Sequence, residues 1–67
     1  MIEITVNGDT RRHEEPLLVA DLLRTMALTG KKIAVERNGE IVPRGVHNST
    51  LLLDGDRLEV VVAVGGG

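Results

Sequence analysis

Neither cysteine nor any aromatic residue occurs in this chain of 67 residues. Disulfides, thiolate-bound zinc, iron–sulfur clusters and a cysteine nucleophile are therefore excluded. The core has to be built from aliphatic side chains and methionine, in a chain with room for one domain only. Folding at this size buries about 60% of the extended surface, so stability is marginal and a deep catalytic cleft would compete with the core. The lack of aromatics also removes the platforms on which single-stranded nucleic acids stack. Eight Lys and Arg against ten Asp and Glu leave a net charge of −2, which argues against binding driven by phosphate contacts. The longest strictly apolar run, Val60 to Val64, is far too short to span a bilayer. Met1-Ile2-Glu3-Ile4 lacks the basic-then-apolar layout of a secretory signal. We expect a small cytoplasmic protein with neither a nucleic-acid nor a membrane partner.

Apolar spacing predicts the elements. Ile2, Ile4 and Val6 alternate with Glu3 and Thr5, the period of a strand with one buried face. Asn7-Gly8 follows, a hairpin signal because both residues tolerate positive φ. Thr10 to Glu14 would be the return strand, polar on both faces and hence a solvated edge. Val19, Leu22, Leu23 and Met26 form one helical stripe. Asp21 suits the first turn, but Leu18 stands where a Ser, Thr, Asp or Asn cap is expected. Gly30 is the expected stop, with Lys31 and Lys32 just beyond it. Ile33 to Arg37 reads as a strand, Asn38-Gly39 as a second tight turn, and Glu40 to Val42 as a short strand ended by Pro43. Arg44 to Thr50 reads as a polar surface loop. Of Leu51, Leu52 and Leu53, only Leu52 is expected inside. After the Asp54-Gly55-Asp56 turn, Arg57 to Val64 is the last strand, with Leu58, Val60, Val62 and Val64 on one face and Val61 and Ala63 on the other. The first and last strands are the most apolar, so they are expected to pair, parallel, in the middle of the sheet. This is an α+β domain with a mixed sheet of four to five strands and one helix on one face.

Little in the chain resembles catalytic machinery. His13 and His47 both sit among polar residues and read as solvated surface. There is no HExxH spacing, no phosphate-binding glycine loop and no nucleophile elbow around Ser49, and no metal site is expected. Asp54 and Asp56 flank Gly55 like the start of a calcium loop, but the other ligand positions are missing. The unusual feature is Gly65-Gly66-Gly67 after a strong strand. A backbone without side chains can thread a narrow slot and approach a ligand closely. The Gly67 carboxylate is then the candidate reactive group, inert until activated, for example by transfer onto AMP. Val61 and Ala63, outward-facing and leading into this tail, form a candidate docking patch.

Three stretches carry a family resemblance. They are Ile33 to Arg44 (IAVERNGEIVPR), Asp54 to Val61 (DGDRLEVV), and the glycines at 65 to 67. With them the whole chain resembles the sulfur carriers of thiamine biosynthesis, the ThiS family, within the ubiquitin-like β-grasp superfamily. The resemblance implies a β-grasp domain over residues 1–64 and a flexible tail over 65–67. It implies a carrier and not an enzyme, with no bound cofactor. An E1-like adenylyltransferase of the ThiF type would adenylate Gly67, Gly66 being its partner in the tail and Gly65 an extension of the usual pair, using ATP and Mg²⁺. A sulfur-donor relay would convert the adenylate to a thiocarboxylate. Thiazole synthase of the ThiG type would then take the sulfur. Leu18 departs from the Ser or Thr usual before the helix in this family. The small subunit of molybdopterin synthase, a tRNA-thiolation carrier and a ubiquitin-like modifier share the fold and tail chemistry. A β-grasp interaction module with an inert C-terminus is the reading from a different class.

Overall fold

A computed structural model of the chain describes residues 1–28 and 32–63. The chain starts with strand β1 (Ile2–Val6), which buries Ile2, Ile4 and Val6 and turns Glu3 outward. Asn7 and Gly8 both take positive φ, 51° and 86°, so the hairpin closes with the twist that favours antiparallel return. Strand β2 (Asp9–His13) lies one residue earlier than the sequence reading placed it. The two-residue turn sets Asp9 directly opposite Val6, and pairing ends where Ile2 meets His13. β2 is the expected sheet edge, and its Arg12 Nε sits 2.9 Å from a Glu3 carboxylate oxygen across the ladder.

Helix α1 (Val19–Thr25) buries Val19, Leu22 and Leu23, with Met26 packed partly against the core. Leu18 is the N-cap and offers no acceptor of its own. The backbone supplies what its side chain lacks. The Val19 N–H donates to the Thr50 carbonyl at 2.9 Å, and the Ala20 N–H to the His47 carbonyl at 3.0 Å. Asp21 accepts from the Leu18 N–H at 3.1 Å, half of a reciprocal cap. The expected stop at Gly30 comes too late in the chain. Ala27 takes φ +58°, and its N–H donates to the Arg24 carbonyl while the Leu28 N–H donates to that of Leu23. This pair of bonds is a Schellman end, built on an alanine where glycine is usual. Gly30 and Lys31 lie outside the described residues.

Strands β3 (Ile33–Arg37) and β4 (Glu40–Val42) are joined by Asn38-Gly39, with φ 51° and 86° as in the first turn. The 44–50 stretch lies at the surface, as its composition suggests, with two differences. It opens with a 3-10 turn over Arg44–Val46, and His47 after it is only 8% exposed. The His47 Nε2 lies 3.1 Å from the Val42 carbonyl, which can only accept, so Nε2 carries the proton. One ring bond thus pins to β4 the segment whose carbonyls cap α1. His13 is likewise not on the solvated surface expected of it. It is half-buried, its Nε2 sealed without a partner. Leu52 is fully buried between the exposed Leu51 and Leu53, as its central position predicts.

Strand β5 (Arg57–Val62) completes a five-stranded sheet in the order β2-β1-β5-β3-β4. It runs parallel to β1 and antiparallel to β3, with the helix in the crossover. This is the expected β-grasp arrangement. The core faces the helix: Ile4 and Val6 from β1, Leu58 and Val60 from β5, Val35 from β3, and Leu22 beneath them. The alternation of β5 fails at Val62, which the sequence placed on the buried face and which is 39% exposed. Val6 lies opposite Leu58, so β5 continues past the end of β1, and no described strand on that side flanks Val62. Val64, also assigned to that face, lies outside the described residues.

Leu22 is wholly buried, so Leu22→Ala is expected to cost about 2–5 kcal/mol, read from the shift of a urea midpoint at constant m. Ala27→Gly is expected to act in the opposite direction. It relieves the left-handed backbone and should gain about 1 kcal/mol in the same measurement.

Candidate functional site

The reactive end expected from the sequence, Gly65, Gly66 and Gly67, lies outside the described residues. What the structure describes is the platform that leads to it, and this platform is fixed at both ends of β5. At the start, Asp56 is 7% exposed and gathers three donors. Its Oδ2 accepts from the Leu53 N–H at 2.8 Å and from Arg37 Nε at 2.9 Å, and its Oδ1 from the Asn38 amide at 3.0 Å. Asn38 in turn accepts from the Arg57 N–H at 2.9 Å and donates its own N–H to the Arg57 carbonyl. Asp54 accepts from the Glu3 N–H at 2.7 Å, tying the same turn to β1.

Further along, the Asn7 side chain takes over where β1 ends. Its amide donates to the Val60 carbonyl at 3.0 Å and accepts from the Val60 N–H at 2.7 Å, which extends the ladder by one rung. On the other flank the Ala63 N–H donates to the Lys32 carbonyl at 2.8 Å. The strand is therefore held on its β3 side up to the last described residue.

Val61 and Ala63 are both exposed, Val61 by 59%. Val61 pairs with Ala34 on the sheet face opposite the helix, and Ile41, 64% exposed, reaches the same face through its pairing with Glu36. Glu36 and Glu59 are direct cross-strand partners there, a like-charge pair that costs stability. Neither carboxylate forms an ion pair or side-chain hydrogen bond among the described residues. The face is thus an aliphatic patch with an acidic border. The sequence reading singled out Val61 and Ala63 but missed Ala34, Ile41 and Asp56. The register that brings Ala34 and Ile41 alongside is tertiary. Asp56 did carry a signal, an Asp at the mouth of a strand that must accept a capping role.

Among the described residues no group of three or more His, Cys, Asp or Glu side chains is placed to hold a metal ion. No helix among them is long and apolar enough to cross a membrane.

The family model described as "ThiS family" matches residues 3–67. The chain is 35% identical over 65 residues to the sulfur carrier protein ThiS of Bacillus subtilis, covering 96% of this chain and 98% of that protein. It is 38% identical over 66 residues to a thiazole synthase of Paramagnetospirillum magneticum. That match covers 98% of this chain but spans only 20% of the relative's length. The crystal structure of the thiamine biosynthesis protein ThiS from Geobacter metallireducens superposes with a TM-score of 0.82 at 33% identity, over 98% of this chain and 100% of that one.

Burial pushes the Asp56 carboxyl up, but the Leu53 N–H, the Asn38 amide and the Arg37 guanidinium outweigh it and hold it below its ordinary value of 3.8. A carboxyl lowered in the folded state contributes stability that is present above the unfolded value and is lost as pH falls through the folded one. Stability is therefore expected to decline below pH about 4. Asp56→Asn should flatten that decline while lowering stability at pH 7, as followed by urea denaturation across pH.

Proposed function

Because this chain belongs to the ThiS family, we propose that it is a sulfur carrier of thiamine biosynthesis and that the Gly67 carboxylate is its loading site. The observation that carries the reading is the family match over the whole fold and on through the glycines. Loading takes two balanced steps. A carboxylate oxygen attacks the α-phosphorus of ATP, forming the acyl-adenylate and releasing pyrophosphate, with Mg²⁺ on the phosphates in the activating enzyme. Hydrosulfide, supplied by the sulfur donor, then attacks the acyl carbon. The C–S bond forms as the C–O bond to AMP breaks, AMP leaves, and loss of the S–H proton leaves a thiocarboxylate where the carboxylate was. The chain itself is a carrier and not a catalyst. Its contribution is a β-grasp domain over 1–64 and a side-chain-free tail over 65–67 that fits a slot a bulkier residue would block.

Two partners follow. An E1-like adenylyltransferase of the ThiF type docks on the patch of Val61 and Ala63 and receives the tail. Thiazole synthase accepts the sulfur. In two relatives named thiazole synthase, a segment similar to this chain makes up 20% of the protein, which supports that pairing.

Incubation with such an adenylyltransferase, Mg-ATP and a sulfur donor is expected to yield a species heavier by the difference between sulfur and oxygen, localised to Gly67 by fragmentation. There is no cysteine to confuse the assignment. Deleting Gly66 and Gly67 should abolish the shift and leave the denaturation midpoint unchanged. An unshifted mass, with an enzyme that loads a known carrier, would favour an inert interaction module. Val61→Glu should keep the fold, since the side chain is exposed, and slow loading about tenfold by placing a charge in an apolar interface.

A further inference from the structure

On the helix-covered side of the sheet, away from Val61, a groove of about 230 Å³ opens between the second half of α1, the start of β3 and the 3-10 turn. Leu23, Leu28 and Ile33 line it with aliphatic surface, and Arg24 and Arg44 bring two guanidinium groups to it. Among the described residues not one Asp or Glu lines it, although the chain as a whole is acidic, with a net charge of −2. Arg24 is shared with Asp21 at 3.3 Å, whereas Arg44 makes no ion pair or side-chain hydrogen bond among the described residues. The groove is also lined by His47, a residue more than nine-tenths buried. The Nε2 contact with the Val42 carbonyl selects the Nε2–H tautomer, in which Nδ1 is an acceptor, and Nδ1 has no partner among the described residues.

These features specify a ligand. Two guanidiniums, only one of them shared with a carboxylate, attract an anion, and a flat carboxylate matches the guanidinium fork. The aliphatic floor asks for an apolar group beside that anion. A bare Nδ1 asks for a donor, and a peptide N–H is one. The groove is open and smaller than the roughly 300–1,000 Å³ of pockets that enclose small molecules. We propose that it docks a short acidic–aliphatic segment of a partner protein. The carboxylate is held by Arg24 and Arg44, the adjoining aliphatic side chain lies on Leu23, Leu28 and Ile33, and a segment N–H donates to His47 Nδ1. This second face is separate from the Val61 patch and does not rest on the loading chemistry proposed above.

The test is an NMR titration of the ¹⁵N-labelled full chain with the capped peptide acetyl-Glu-Leu-Leu-amide, its Gln counterpart, and free 4-methylpentanoate. The expected result is shifts confined to the amides of Ala20–Leu28 and Arg44–Asn48, together with His47 Nδ1. The Gln peptide should bind about fivefold more weakly. Arg44→Glu should weaken the acidic peptide about tenfold while the urea denaturation midpoint stays at the parent value. Equal binding of both peptides overturns the anion assignment. Shifts spread over the sheet face around Val61, or none up to about 10 mM peptide, overturn the site. Saturation by 4-methylpentanoate at the same concentrations overturns the protein partner in favour of a small carboxylate.

Discussion

The fold turns on one small carboxylate. Asp56 stands where the chain leaves the Leu53–Gly55 bend and enters the central strand. Its oxygens bind the bend, the β3–β4 hairpin and the Arg37 guanidinium together. Without β5, the β1–β2 hairpin and the β3–β4 hairpin would share no ladder, because every pairing between the two halves passes through that strand. Burying a charge is costly, and here the cost is offset by three donors, one of them the partly exposed Arg37. The asparagines of the two tight turns then act as extra rungs. Asn38 secures the start of β5 and Asn7 its middle. One dipeptide sequence thus closes both hairpins and grips the strand between them.

The helix depends on the rest in a different way. Seven residues form too few internal bonds to be stable alone. Its first N–H groups are satisfied from the 44–50 segment, which is itself fixed by the His47 ring on β4. Helix, segment and β4 therefore form a cooperative unit, in which loss of one uncaps or unpins the others. Leu18 at the cap is a tolerable departure for this reason. The acceptor that a serine would bring is present already, as main-chain carbonyl.

Much of this was legible in the residues. Asn-Gly between alternating apolar runs left few options for the turns, and the stripe Val19, Leu22, Leu23 could bury itself only as a helix. The parallel pairing of first and last strands followed from their apolarity and the intervening crossover. His47 was not legible, because it stands in a mostly polar stretch while its partner, the Val42 carbonyl, is set by the fold. Ala27 carries no propensity for a left-handed residue, and only the Schellman geometry assigns it that role. The exposure of Val62 depends on where a neighbouring strand stops, which alternation within β5 cannot reveal. At the candidate site the glycines were conspicuous by composition, and Val61 and Ala63 by their place beside them. Ala34 and Ile41 joined the patch only once register was known.

β1 and β5 lie side by side and point the same way, with β5 overshooting by the four residues beyond Leu58. Traction applied at Ile2 and at the far end of β5 would drag the two strands past each other along their length. Such loading is shear. The rungs between β1 and β5, including the Asn7 amide on Val60, share the force and must rupture together, whereas pulling strands apart from one end would unzip them singly. Against traction on whatever follows β5, the domain is therefore anchored in the direction in which its sheet yields last.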